Sequence, residues 1–229
     1  MRIDVVIPAL DEEEAIGLVL DEIPRDRVRR VVVTDNGSRD RTPDVARAHG
    51  AEVVHEPRRG YGAACLRALA HLALDPPDVV VFLDADHSDY PGELARVVAP
   101  IERGEADLVV GSRVLGGAER GSLTLQQRVG NAMACAALRA LYRARYTDLG
   151  PFRAIRWDVL QKLEMVDRDY GWTVEMQIKA ARAGVSHAEV PVSYRARIGR
   201  SKISGTVAGT VRASRKILWL LAKHARIGA

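Results

Sequence analysis

VVVFLDADHSDYP, residues 79–91, holds the sharpest chemical transition in a chain of 229 residues. Val79 to Leu83 are all apolar, as expected of a strand buried on both faces within a covered parallel sheet. The run stops at Asp84-Ala85-Asp86, and a segment suited to a helix follows Pro91. Carboxylates at the end of a buried strand are costly unless a cation or ligand meets them. In open α/β sheets, ligands bind outside the carboxyl ends of the strands. Two residues apart in extended chain, Asp84 and Asp86 project from the same face. Paired hard oxygen ligands of this kind suit Mg2+ or Mn2+ bridging a diphosphate, with water and phosphate oxygens completing the shell. The competing reading is a strand-to-helix turn whose acids cap the next helix.

Upstream, the same alternation recurs. Residues 3–8 read as a first strand and residues 11–22 as a helix with acids in its first turn. Residues 28–34 form a second strand ending in the turn cluster Asp35-Asn36-Gly37-Ser38. Thr42-Pro43 opens the next helix, with proline in the tolerated first turn. A third strand at 51–55 leads through Pro57-Arg58-Arg59-Gly60-Tyr61-Gly62 into an alanine-rich helix over 63–74. After the opening stretch come a helix at 91–102 and a strand at 106–111. Alternating strands and helices of this length predict an α/β domain with a mostly parallel, Rossmann-like sheet. Pro8-Ala9, Asp35-Asn36, Gly60 and Asp84–Asp86 then fall along one edge and suggest one nucleotide-sized site. No G-x-G-x-x-G follows the first strand and no G-x-x-x-x-G-K-[ST] occurs, which argues against a dinucleotide enzyme and a P-loop NTPase.

Downstream, residues 112–122 form a loop with four glycines counting Gly111, able to order over a ligand. Residues 123–146 read as a long helix with apolar Val129, Met133, Ala137, Leu138 and Leu141. A turn and strand at 148–156, short helices at 157–163 and 173–183, a strand at 187–195 and a basic loop at 198–204 follow. Residues 205–229 read as a basic, amphipathic C-terminal helix, suited to an anionic membrane surface or to packing on the domain or a second subunit. With no repeat or linker, the chain is expected to be one domain: a nucleotide-binding half at 1–111, an acceptor half at 112–204 and the terminal helix.

Bulk composition agrees with an ordinary globular protein, 47% hydrophobic and 28% charged, with a net charge of +4. Arginines thicken from Arg113 onward, which marks the second half as the phosphate-contacting one. An aromatic-interleaved basic stripe is missing, so nucleic acid is not an expected partner. Cys65 and Cys135 lie in helical contexts as small buried residues of a reducing compartment. Asp4 and Asp11 interrupt any hydrophobic leader, and no apolar run is long enough to span a membrane. The expected location is therefore the cytoplasm, with peripheral contact at the inner face of the membrane as its furthest extent.

Seven segments in order carry a resemblance: IPALDEEEAI at 7–16, TDNGSRDRT at 34–42, Arg59-Gly60-Tyr61-Gly62-Ala63, LDADHSDYP at 83–91, Gly111-Ser112-Arg113, DLGPFRAI at 148–155 and RIGRSK at 197–202. Together they resemble the family-two glycosyltransferases of GT-A fold, above all the polyprenyl-phosphate branch typified by dolichol-phosphate mannose synthase. The resemblance implies that Pro8, Ala9, Asp11 and Glu12 border a nucleotide sugar, that Asp35 meets the base, and that Asp84, with Ala85 beside it, lies at the ribose or metal side. It makes Asp86 the main metal ligand. Where the family usually has two aspartates this chain has Asp35-Asn36, so the second contact is neutral. Ser88 replaces a position that is often Gln and leaves a shorter third ligand; His87 is expected to be a turn residue. Arg113 and Arg128 match positions that hold an acceptor phosphate, to which a guanidinium fork is well suited. Arg197, Ser201 and Lys202 match a loop that closes over the diphosphate.

The implied reaction is inverting attack of an acceptor oxygen on the anomeric carbon of a UDP- or GDP-sugar. The Asp86-bound metal, Arg197 and Lys202 would stabilise the leaving diphosphate. A polyprenyl phosphate acceptor is already anionic, whereas a hydroxyl acceptor requires a base, for which Asp148 and Glu175 are the candidates. Many members of that branch continue into transmembrane helices and none is expected here, so a small soluble acceptor stays open. A sugar nucleotidyltransferase is a further rival, disfavoured by the missing Gly-rich, Lys-containing first loop.

Overall fold

A computed structural model of the protein describes residues 1–199 together with Lys216, Trp219 and Leu220. Seven strands form one sheet in the order β3-β2-β1-β4-β6-β5-β7. They are β1 (Ile3–Ala9), β2 (Arg30–Asp35), β3 (Glu52–His55), β4 (Val79–Phe82), β5 (Leu108–Ser112), β6 (Arg153–Arg156) and β7 (His187–Pro191). All pair in parallel except β6, which runs antiparallel between β4 and β5, with Ile155 opposite both Val80 and Leu108. This is the mostly parallel, helix-flanked sheet expected of the GT-A fold.

The strands are apolar throughout because both faces are covered. Val5, Ile7, Val31, Val33, Val79 and Val81 pack on one side with α1 (Ile16–Asp21), α2 (Thr42–Ala48) and α4 (Leu94–Glu102). Val6, Val32, Val80 and Phe82 point the other way, toward α3 (Tyr61–Leu72), α6 (Leu125–Tyr142) and α8 (Trp172–Arg182). A short 3-10 turn at Pro91–Glu93 precedes α4; α5 (Arg113–Gly116) and α7 (Trp157–Lys162) complete the described helices. Two charged residues buried in this core are paired. Asp4 is fully buried and meets Arg29 at 2.7 Å and Arg30 at 2.9 Å. Arg153, also fully buried, donates to the carbonyls of Leu149, Gly150 and Thr173, tying β6 to α8.

Several expected elements shift. The first helix begins at Ile16 rather than Asp11, with no acid in its first turn. Asp11, Glu12 and Glu13 instead grip the loop after β2: Asp11 accepts from the Arg39 amide, the Glu12 amide donates to Thr42 Oγ1 and Glu13 accepts from the Arg41 amide. The long helix runs over Leu125–Tyr142, opened by a Thr124–Gln127 capping box. Its Val129, Met133 and Leu141 face outward, while Ala134, Cys135 and Leu138 are buried. The last strand stops at Pro191. The expected helix at 205–229 lies outside the described residues except at three positions. There Lys216 pairs with Asp167 at 2.8 Å, Leu220 is buried in the core and Trp219 is exposed. No helix among the described residues is long and apolar enough to cross a membrane.

Candidate active site

Because β1, β2 and β4 are parallel, their carboxyl ends open on one side, and a cavity of about 320 Å³ lies there. Pro8 and Ala9 from β1, Glu12, Asn36 after β2, Gly60 at the start of α3, and Asp84, Ala85 and Asp86 after β4 all line it. Arg197 lines it as well. Of the residues expected to hold the nucleotide, two do not line the cavity. Asp11 is turned toward Arg39. Asp35 is buried behind the wall, accepting from the Ser38 amide at 2.9 Å and paired with His55 Nδ1 at 3.0 Å. Burial pushes the Asp35 carboxyl up, but the Ser38 and His55 contacts outweigh it and hold it below the usual aspartate value.

Asn36 lines the cavity yet has no free amide group to offer. Its Nδ2 donates to the carbonyls of Glu56 and Arg58, and its Oδ1 accepts from the Gly60 amide at 2.8 Å. The neutral residue in the second family position therefore staples the 56–60 loop. That loop brings in Arg59 and Tyr61, which line the cavity with Leu10, Ala64 and Tyr170. Arg59 and Tyr61 stood in a glycine-bearing loop visible in the sequence, whereas nothing local marked Tyr170.

Asp84 and Asp86 share the cavity but not their partners. The Tyr61 hydroxyl donates to Asp84 Oδ1 at 3.0 Å. Burial first, and the charge of Asp86 second, push the Asp84 carboxyl up to about 7. Burial likewise raises Asp89, with Asp84 and Asp86 adding to it. Asp86 Oδ2 lies 3.1 Å from Arg197 Nη1, and Glu12 Oε1 accepts from Arg197 Nη2 at 2.8 Å. A guanidinium thus sits against the inner carboxylate, in the place a divalent cation would favour, and the donor set of hard oxygens fits such an ion. Ser88 does not offer a third ligand. Its hydroxyl and amide both donate to Asp86 Oδ1, so it orients the carboxylate. Among the described residues no cluster of three metal-binding side chains occurs, so the fit is one of few protein ligands, with diphosphate oxygens and water making up the rest.

The turn carrying these acids is itself pinned. His87 adopts a left-handed conformation, φ 61°, and its ring contacts Glu22 at 2.9 Å, the role of a turn residue. Arg195, which no motif singled out, donates to the carbonyls of His87 and Asp89 and to Glu22, and stacks on Tyr90 at 4.2 Å.

Arg113 stands beside this turn, held by Asp148 through Nε at 2.8 Å and Nη2 at 2.6 Å, with its guanidinium 4.9 Å from the Tyr194 ring. Burial disfavours its charge, but Asp148 more than offsets that and raises its pKa. Two expectations about acids need correction. Asp148 is buried in this ion pair, and Glu175 is buried accepting from the Val166 and Asp167 amides and pairing with Lys179 at 3.0 Å. Neither carboxylate is placed to take a proton from an acceptor. Arg128 is exposed on α6 and does not line the cavity. Ser201 and Lys202 lie outside the described residues.

Known proteins of this architecture share both sequence and fold with the chain. An uncharacterized glycosyltransferase of Mycobacterium tuberculosis is 40% identical over 214 residues, 91% of this chain and 93% of that protein. A dolichyl-phosphate hexose transferase of Haloferax volcanii is 36% identical over 90% of this chain and 88% of its own length. The crystal structure of glucosyl-3-phosphoglycerate synthase from Mycobacterium tuberculosis with Mn2+, UDP-glucose and phosphoglyceric acid superimposes with a TM-score of 0.78 at 27% identity, covering 98% of this chain and 80% of that one. The model of the family described as Glycosyl transferase family 2 matches residues 4–164. Strand ends, paired acids and matched length converge on one assignment: this chain is a glycosyltransferase and belongs to glycosyl transferase family 2.

Proposed function

We propose that the protein transfers a hexose, with inversion, from a UDP- or GDP-sugar to a polyprenyl phosphate. The observation that carries the acceptor is the commitment of Asp148 and Glu175 to buried structural contacts. A hydroxyl acceptor requires a base, whereas a phosphate monoester already carries its nucleophilic charge. The 36% identical dolichyl-phosphate hexose transferase supports the same choice.

In this reading Pro8, Ala9, Glu12, Asn36, Gly60, Asp84, Ala85 and Asp86 enclose the donor, with Asp35 and Asp11 shaping the wall from behind. Asp86, with Asp84 beside it and Ser88 fixing its orientation, would hold Mg2+ or Mn2+. That ion would supply charge stabilisation to the departing diphosphate. Arg197, held by Asp86 and Glu12 in this structure, would serve the diphosphate, with Ser201 and Lys202 as its proposed partners there. Arg113 keeps Nε and Nη2 on Asp148 and offers Nη1 to the acceptor phosphate; Arg128 is a more distant phosphate contact. The chain forms a single domain in which residues 1–111 serve the donor and residues 112–204 the acceptor.

A second reading has its own support, because the structurally similar glucosyl-3-phosphoglycerate synthase is bound to phosphoglyceric acid, a small soluble compound. Labelled UDP-glucose or GDP-mannose with Mn2+, incubated with and without polyprenyl phosphate, separates the two. Label entering the organic phase is the expected result. Transfer to phosphoglycerate with no lipid product overturns the lipid assignment. Asp86→Ala is expected to abolish turnover, and full wild-type activity in excess EDTA would sink the metal role.

A further inference from the structure

α6 presents an inverted face. Leu125, Val129 and Met133, four residues apart and so on one side of the helix, are 73%, 49% and 61% exposed. Ala132, Ala136 and Ala140 are exposed as well, and the buried positions are Ala134, Cys135 and Leu138. A surface helix ordinarily turns its larger apolar residues inward and its polar ones out. A continuous apolar stripe directed outward marks a contact surface, unlike single exposed leucines.

The charge around the stripe has one sign. From residue 121 to residue 147 the sequence contains no Asp or Glu but four arginines, Arg128, Arg139, Arg143 and Arg145. All four are exposed, and among the described residues none is in an ion pair. By the helical period, Arg128 and Arg139 run along one border of the stripe, and the other two follow the helix C-terminus.

We propose that the outward face of α6 seats the protein on an anionic bilayer surface, with Leu125, Val129 and Met133 entering the interface and the arginines meeting lipid phosphates. Arginines bordering an apolar helical face are the combination that binds anionic lipid. A second copy of this chain is the poorer occupant. A two-fold contact through this face would set each acid-free, arginine-bordered helix against its twin. The position of the helix is also suitable. On its inner flank Asn131 donates to the Thr147 carbonyl and accepts from the Leu149 amide, both at 2.9 Å. It thereby clasps the turn that delivers Asp148 to Arg113. A bilayer on the outer side of α6 therefore adjoins the arginine assigned to the acceptor. The seating stands on exposure and charge, independently of the acceptor's identity.

Flotation of the intact protein with vesicles of phosphatidylcholine, alone or mixed equally with phosphatidylglycerol and free of polyprenyl phosphate, tests it. Wild type is expected to float with the mixed vesicles and not with the neutral ones. Val129→Glu with Met133→Glu lowers partitioning at least about tenfold, since two carboxylates enter the apolar contact. Arg139→Gln with Arg143→Gln lowers it by roughly fivefold per arginine, about 25-fold in all. Melting curves establish that each variant is folded, and the more exposed Met133→Glu alone serves if the first pair is not. Absence of wild-type flotation, undiminished binding by the variants, or a wild-type dimer that Val129→Glu with Met133→Glu separates overturns the proposal. Vesicle binding without lipid-linked product defeats the acceptor assignment alone; lipid-linked product in detergent without vesicle binding defeats this one alone.

Discussion

Asp84 and Asp86 leave the end of β4 together and meet opposite surroundings. Asp86 faces a guanidinium and is oriented by Ser88, whereas the half-buried Asp84 receives the Tyr61 hydroxyl. With its carboxyl raised to about 7, the folded protein keeps a proton that an unfolded aspartate, near 3.9, has already released. Stability of the metal-free protein therefore falls as pH rises from about 4 to about 7, by an amount on the order of a few kcal/mol. Melting in EDTA is expected to show a Tm lower at pH 8 than at pH 5, shifted roughly 2–4 °C for each kcal/mol, and Asp84→Asn is expected to flatten that slope. Equal slopes in both proteins would remove Asp84 as the cause. Arg113 carries a second prediction. Deleting it leaves Asp148 buried without its cation, so Arg113→Ala should cost about 3–5 kcal/mol and lower Tm before any acceptor effect is seen. An unchanged melt with a raised acceptor KM would mean that the ion pair is not structural. At this scale the sequence made residue types legible but not their commitments. Asp84, Asp86 and Arg197 sit together as their chemistry suggested. Asn36 and Asp148 looked equally available, yet loops and amides distant in sequence had already claimed them.

Element boundaries moved wherever a side chain found a better partner outside its own helix. α1 gave up its first turn because Asp11, Glu12 and Glu13 bind the amides and hydroxyl of the loop after β2 more directly than they serve a helix dipole. α3 begins two residues earlier than its alanines suggested. The carbonyls of Arg168 and Asp169 accept from the Ala63 and Gly62 amides and satisfy its open N-terminus. That contact is close enough to test. A Cβ on Gly62 would lie 2.0 Å from the Asp167 carbonyl oxygen and 2.8 Å from its carbon, backbone that cannot rotate away. Gly62→Ala should therefore push the 167–169 loop off α3 at a cost of ~1–3 kcal/mol. Because Gly60, Tyr61 and Ala64 of the same segment line the cavity, weaker UDP or GDP binding by calorimetry is expected alongside the lower Tm. Normal binding and stability would show that the loop yields freely. α6 illustrates the limit of periodicity: Val129 and Met133 had the right spacing for a buried stripe, and spacing alone does not tell which side faces the sheet.

The antiparallel β6 decides how far the molecule can be divided. The sequence supplied its strand character, yet its direction and place depend on pairings more than about 40 residues away, which local patterning does not encode. Its insertion separates β4 from β5, so residues 1–111 contain two strands that never touch each other. In a fragment ending at Gly111, β4 would expose an open edge once covered by β6, and β5 would lose β6 and β7 together. Leu108, Val109 and Val110, all buried in the whole protein, would have no sheet to join. The buried Arg153 adds a second tie, since it fastens β6 to the carbonyls of Gly150 and Thr173 and so joins the central sheet to α8. Residues 1–111 and the described residues after them thus share one hydrogen-bonded sheet and two common apolar layers. The 1–111 fragment is expected to show no cooperative thermal transition and no saturable binding of UDP or GDP, whereas the full chain melts in one step. An exposed β4 edge of four consecutive apolar residues should also make the fragment aggregate. A fragment that melts cooperatively and binds nucleotide would establish an autonomous donor domain, with β6 an addition to a sheet already stable without it.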